Sequence, residues 1–101
     1  MTKDQSHIEA VIIFLRTEEG GRIHPVFSGY RPQFYYDGQD WDAVQSYPGV
    51  ERVNPGDTVV ARLTFLSPQS HRGKVHPGMA FEVREGMRVI GHGVVKKVFD
   101  F

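Results

Sequence analysis

The chain has 101 residues, a length that suits one domain because domains usually run to about 100–150 residues. Its residues are 40% hydrophobic and 24% charged, a mixture typical of globular proteins and not of disordered tails. Twelve basic residues balance twelve acidic ones, so any contact with nucleic acid must depend on a local patch. The sequence contains no cysteine, which excludes disulfides, thiolate nucleophiles and cysteine-ligated zinc.

The beginning of the chain carries no signal for targeting. Residues 1–7 form a polar lead without the apolar stretch of a signal peptide. The longest apolar run, residues 10–15, is far shorter than the roughly 20 residues that span a bilayer. We therefore expect a cytoplasmic protein without a membrane anchor, with one domain over residues 8–101.

Five segments predict β-strands. Between turns rich in glycine and proline, β-branched and aromatic residues concentrate in residues 8–16, 30–37, 58–66, 79–84 and 88–99. The third segment alternates, since Val59, Ala61, Leu63 and Phe65 share one face. The dipeptide Glu85-Gly86 joins the last two segments and predicts a tight hairpin. Many short strands with regular turns predict an all-β fold, either a sandwich or a closed barrel.

No motif in the sequence predicts catalysis or a cofactor. Gly91-His92-Gly93 lies inside a strand pattern without the helix that a phosphate site needs, so a bulge or a close backbone approach explains its glycines better. His71 and His76 flank a segment with two cations, which would repel a metal ion. A solvated basic loop is the favoured interpretation there. We expect no metal, no cofactor and no catalytic residue.

A small acidic cluster surrounds Trp41. Asp37, Asp40 and Asp42 lie close together in the sequence, and paired carboxylates can act in acid–base chemistry. In a stretch that contains glycine, however, such residues more often form solvated turns. We favour the turn interpretation.

An aromatic run with arginine follows a Gly-Gly-Arg motif. The run is Tyr30-Arg31-Pro32-Gln33-Phe34-Tyr35, and Arg22 lies just upstream of it. Arginine and aromatic side chains together form surfaces that bind nucleic acid or protein. Alternatively, Phe34 and its alternate neighbours belong to the core. Both interpretations stay open, with Arg22 and Arg31 favoured over the rings as functional residues.

Several of these stretches resemble one family, the third or C-terminal domain of elongation factor Tu. The similar blocks are Gly20-Gly21-Arg22 with Pro25-Val26-Phe27, the run from Tyr30 to Tyr35, Val53-Asn54-Pro55-Gly56-Asp57, and Phe81-Glu82-Val83-Arg84-Glu85-Gly86 leading to Val89-Ile90-Gly91-His92-Gly93-Val94-Val95. Their order follows the family from about Ile8 to Phe99. The resemblance implies a small antiparallel β-barrel. It also implies a domain that packs on a GTPase domain and a second domain, holds the T-stem backbone of aminoacyl-tRNA and meets a nucleotide exchange factor.

The resemblance implies four RNA-binding residues. Arg22 would neutralise a phosphate, Gln33 would donate to backbone oxygens, and the Glu85-Gly86 turn would let the RNA backbone approach closely. A possible additional contact surface comprises Arg31, His71, Arg72 and Lys74.

The sequence departs from the family pattern at several contact positions. Ile23 follows the arginine of the Gly-Gly-Arg motif where the family commonly has histidine, Ser67 replaces a basic residue, and Asp42 replaces a threonine and would repel phosphate. The loop between Pro68 and Met79 is longer than the family's and carries the extra basic residues.

Two functions remain in view. The first is a standalone, non-enzymatic, translation-related binding module that contacts tRNA or a translation GTPase; the chain has neither a GTPase domain nor a P-loop and is not expected to hydrolyse GTP. The alternative is a protein-interaction module that has kept the barrel and lost tRNA binding. The sequence leaves open whether the chain is a fragment, and its oligomeric state. Strong dependence of binding on salt would favour the first function, because phosphate contacts release counterions.

Overall fold

Six antiparallel strands close into a barrel in the computed structural model, which describes residues 5–101. The strands are β1 (Ile8–Phe14), β2 (Gln33–Tyr36), β3 (Gln39–Ser46), β4 (Thr58–Phe65), β5 (Ala80–Glu85) and β6 (Arg88–Val98). Their order around the barrel is β1-β4-β3-β2-β5-β6, and β6 pairs back with β1. Each of these strands therefore pairs with a neighbouring strand on both sides. The predicted all-β barrel is confirmed.

The two short helices are 3₁₀ turns, Thr17–Glu19 and Pro68–Ser70. Neither helix, nor any other in residues 5–101, has the length and apolar character needed to cross a membrane.

The alternation of apolar residues places one face of each strand inside the barrel. In β4, Val59, Ala61, Leu63 and Phe65 are all buried, as predicted. Phe81 and Val83 in β5 are buried as well. These inward side chains form one continuous core, and the outward positions carry the surface chemistry of the domain.

Strand β3 corrects the interpretation of the acidic cluster. Only Asp37 lies in a turn, whereas Asp40 and Asp42 lie on β3 and face solvent. The turn has positive φ at both central residues, 51° at Asp37 and 79° at Gly38, and joins paired residues on β2 and β3. Such a two-residue turn matches the twist of a β-hairpin and favours Asp-Gly. The carboxylates are therefore part of a strand's outer face.

Gly93 makes room for the ring of Phe81 in the core. The rings of Phe34 and Phe81 stack with centroids 4.2 Å apart. A Cβ atom placed on Gly93 would lie 2.2 Å from the Phe81 ring, so only glycine fits at this inward position. The close backbone approach predicted for Gly91-His92-Gly93 occurs at Gly91, where a Cβ atom would lie 3.1 Å from Ile13 O on β1.

The barrel has two ends with different loops. The Glu85 end comprises residues 15–32, residues 47–57 and the turn 86–87. The His71 end comprises the turn 37–38, residues 66–79, the segment before β1 and the segment after β6. Residues 1–4 of the predicted polar lead lie outside the described residues. His7 of that lead is hydrogen-bonded on both sides, to Leu63 O and from Phe99 N, each at 2.8 Å.

Candidate binding surfaces

Three side chains meet at the Glu85 end and are called the Glu85 cluster: Arg22, Tyr30 and Glu85. The Arg22 Nη1 atom donates a hydrogen bond to Glu85 Oε2. Tyr30 Oη donates to the same oxygen at 2.5 Å, and the Arg22 guanidinium lies 5.1 Å from the centre of the Tyr30 ring. Arg88 adds a second cation, with its Nη2 atom 3.6 Å from Glu85 Oε1.

The charged side chains of the cluster form ion pairs with one another. Burial, together with the hydrogen bond to Glu85, raises the pKa of Tyr30 well above its usual value. The phenol therefore stays protonated and donates. Arg22 is held by a carboxylate rather than presented as a free cation, so an RNA phosphate would have to compete with Glu85 for it.

Gly86 and Met87 form the turn beside the cluster. Glu85 pairs with Arg88 across this two-residue loop, and Gly86 has φ of 62°, the left-handed conformation that favours glycine at the first turn position. The predicted hairpin is confirmed. Met87 at the tip is 91% exposed, so the apolar side chain at this turn faces solvent.

Gln33 lies next to the cluster at the start of β2. Its register partners are Asp42 on β3 and Arg84 on β5. The Gln33 Oε1 atom is buried and accepts no hydrogen bond from the described residues. The structure therefore brings Gln33 to the same end of the barrel as Arg22, Glu85 and Gly86.

His71 corrects one site prediction. The residue is fully buried and does not belong to a solvated basic loop or to a contact surface. Its ring stacks on Phe65 with centroids 4.0 Å apart, and its Nδ1 atom is 2.8 Å from Tyr36 Oη. Burial lowers the pKa of His71 to about 4, so the ring is neutral near pH 7 and anchors its loop.

The other predicted contact residues are exposed. Arg72 and Lys74 follow His71 at the His71 end, and Arg31 lies at the Glu85 end, so the structure does not bring the predicted additional surface together. Within residues 5–101, no group of three or more histidine or acidic residues is placed to hold a metal ion.

Sequence reasoning missed an outer groove across β1, β2, β5 and β6. It encloses about 490 Å³. Its apolar lining includes Val11, Ile13, Ala80 and Val94, and its charged lining includes Glu82 and Lys96. The register places Val60, Val11, Val94 and Ala80 in one row across four strands. The signal was present in the apolar run at residues 10–15, which supplies apolar side chains to both faces of β1.

Comparison with protein families gives a match to the elongation factor Tu C-terminal domain over residues 1–99. The chain belongs to this family. Membership confirms the resemblance and agrees with the closed all-β barrel. It supports a translation-related binding role in general. The resemblance to elongation factor Tu implied four RNA-binding residues, and all four lie at the Glu85 end of the barrel. Two of them, Arg22 and Glu85, form an ion pair with each other.

Replacement of Glu85 by glutamine tests the Glu85 cluster of this elongation factor Tu-type barrel. Glutamine can still accept the hydrogen bond of Tyr30 but removes the negative charge beside it, so the pKa of Tyr30 should fall toward the usual value for tyrosine. The absorbance of tyrosinate, followed during alkaline titration of the native protein, measures this shift. Glu82→Gln, which removes a carboxylate paired with Arg84, is the matched control. An unchanged Tyr30 titration in Glu85→Gln would contradict the assignment.

Proposed function

We propose that the chain is a non-enzymatic, translation-related binding module that docks a protein partner through the outer groove. A translation GTPase is the partner class that the family resemblance implies. The observation that carries the proposal is the row of outward apolar residues across β4, β1, β6 and β5, whose members Val11, Val94 and Ala80 line the groove.

Solvent exposure of this row favours a protein partner. In this row Val94 is 37% exposed, and Ile13, which also lines the groove, is 53% exposed, although outward strand positions usually carry polar side chains. Burying apolar surface contributes roughly 25 cal/mol for each Å² removed from water. Contiguous apolar patches with a polar rim mark protein interfaces, and Glu82 and Lys96 supply charges to the groove.

The proposal gives the chain no catalytic step. The sequence has no P-loop to hold nucleoside phosphates. The chain's contribution is to bind and orient a partner that performs the chemistry.

Calorimetric titration with the GTPase portion of elongation factor Tu, prepared without its own C-terminal domain, tests the proposal. We expect binding, and we expect Ile13→Asp combined with Val94→Asp to weaken it at least about tenfold, since two buried carboxylates would lose their hydration. Met87→Asp adds charge at an exposed apolar residue outside the groove and is the control. Heteronuclear NMR spectra confirm that each variant is folded.

Two results would count against this function. One is the absence of binding by the wild-type chain, and the other is equal weakening by the groove variant and by Met87→Asp.

Contact with the tRNA backbone is the second candidate function. The gathering of Arg22, Gln33, Glu85 and Gly86 at one end favours it, while the pairing of Arg22 with Glu85 opposes it. Anisotropy of labelled aminoacyl-tRNA at about 50 and 200 mM salt measures this contact, since phosphate-dependent affinity falls steeply over that span. Arg22→Gln should weaken binding more than Arg52→Gln, an exposed arginine at the same end. Equal effects, or no binding at low salt, would exclude the candidate.

A further inference from the structure

The loop of residues 66–79 exposes two cationic side chains to solvent. His71 and Val75 are both buried and fix the loop at two points. Between them, the amides of Lys74 and Val75 donate to His71 O at 3.0 and 3.3 Å. The chain therefore makes a tight turn that exposes Arg72, Gly73 and Lys74, which we call the cationic turn.

Among residues 5–101, the two cations of this turn have no carboxylate partner. Arg22, Arg84 and Arg88 form ion pairs with glutamates, whereas neither Arg72 nor Lys74 forms one among residues 5–101. An unpaired cation on a rigid turn is ready to bind an anion without first breaking an ion pair.

Two shallow grooves with mixed polar and apolar linings flank the cationic turn. One encloses about 350 Å³ and places Arg72 beside Val98, Phe99 and Phe101. The second encloses about 440 Å³ and borders the outer groove at Ala80. It places Lys74 beside Tyr36 and Met79. Each groove thus combines one cation with apolar side chains.

One aspartate also lines each groove. Asp100 lies in the first groove and Asp37 in the second. A nucleic-acid backbone, with a charge on every phosphate, would meet repulsion at both aspartates. A peptide can place carboxylates on the cations and neutral apolar residues beside the aspartates, so the charge pattern favours protein over RNA at this surface.

We propose that the cationic turn and its two flanking grooves bind an acidic protein segment that carries apolar side chains between its carboxylates. The carboxylates pair with Arg72 and Lys74, and the apolar side chains pack in the grooves. Binding of the segment requires no partner in the outer groove, because the segment alone supplies both kinds of contact, although the second groove shares Tyr36, Asp37 and Ala80 with the outer groove.

An NMR titration of the isotope-labelled chain tests this proposal. The probe is a short capped peptide that alternates glutamate and leucine. A peptide of the same length that alternates lysine and leucine, and a short oligouridylate, are the comparison probes. Measurement at about 50 and 200 mM salt identifies the ionic part of the binding. No other protein takes part, so the outcome does not depend on the proposed function.

We expect amide shifts in residues 72–74 and 98–101 with the acidic peptide. Loss of two exposed ionic contacts should raise Kd about five- to tenfold in the Arg72→Gln, Lys74→Gln double variant. The Arg31→Gln, Arg52→Gln double variant removes the same charge from exposed residues at the Glu85 end and should change Kd less than about twofold.

Three outcomes would overturn the inference. They are the absence of shifts with the acidic peptide, equal weakening by the two double variants, and tighter binding of oligouridylate than of the peptide. The last result would assign the cationic turn to nucleic acid.

Discussion

Acidification from pH 7 to pH 4 should lower the free energy of unfolding by about 3 kcal/mol through His71 alone. The pKa of His71 is lowered from 6.5 to about 4 in the folded protein, so the unfolded chain binds the proton first. The stabilising contribution is complete above the unfolded pKa. It declines as the pH falls through 6.5 and levels off below the folded pKa of about 4.

The pKa of His71 is lowered because its ring is buried where no negative group of the described residues could compensate the charge of the protonated form. Phe65 and Trp41 pack on the ring of His71, and its Nε2 atom has no hydrogen-bond partner in the part of the chain that the structure describes. After burial, the causes of the lowered pKa are the positive charge of Lys74 and then His7. The pKa of His7 is itself lowered by burial and by Arg72. Protonation would therefore place a buried cation among other cations.

Urea unfolding at pH 7, 5 and 4 measures the effect. His71→Gln removes the titrating group and should flatten the dependence on pH over this range, whatever its effect on stability at pH 7. His76→Gln removes an exposed histidine from the same loop and should leave the dependence unchanged. An equal loss of stability in the wild-type chain and in His71→Gln would contradict the account of the His71 end.

Replacement of Gly93 by alanine should destabilise the barrel by about 3 kcal/mol, at the upper end of the usual cost of overpacking. The new Cβ atom would lie 2.2 Å from the Phe81 ring. That ring cannot retreat easily, because it stacks on Phe34 with centroids 4.2 Å apart and is itself 4% exposed. The clash must be relieved by shifts in β5 or β6.

A double-mutant cycle separates this clash from a general effect of alanine in the strand. Phe81→Leu removes the ring and should recover part of the loss, which gives a coupling free energy of about 1 kcal/mol or more. His92→Ala alters the neighbouring residue on the outer face and should cost little. Strictly additive effects of Gly93→Ala and Phe81→Leu on the free energy of unfolding, measured by chemical unfolding, would show that the Phe81 ring is not the reason why residue 93 must be glycine.

The fold could be predicted where buried and exposed side chains alternate along a strand. The pattern of β4 and the hairpin at Glu85-Gly86 were correctly predicted because each is set by neighbouring residues. Strand β3 was missed because the aspartates beside Trp41 resemble turn formers. The Asp37-Gly38 pair nevertheless predicts a hairpin. In the strand that follows it, Ala43 and Gln45 are buried and alternate with less buried residues.

The candidate surfaces depend on contacts that no local pattern contains. Arg22 and Glu85 are 63 positions apart, so the sequence suggests both as contact residues without showing that they bind each other. The burial of His71 requires side chains from β2, β3 and β4 at one closed end of the barrel. The outer groove requires the register that aligns Val11, Val94 and Ala80.

The most direct test of the protein-docking proposal is to map the bound partner on the barrel. Amide hydrogen exchange of the chain would be compared alone, with the GTPase portion of elongation factor Tu, and with aminoacyl-tRNA. The account predicts that the protein partner protects β1 and β6 around Ile13 and Val94, while Gly86 and Met87 exchange as in the free chain. Protection confined to Arg22, Gln33, Glu85 and Gly86, produced by tRNA and not by the protein, would contradict it.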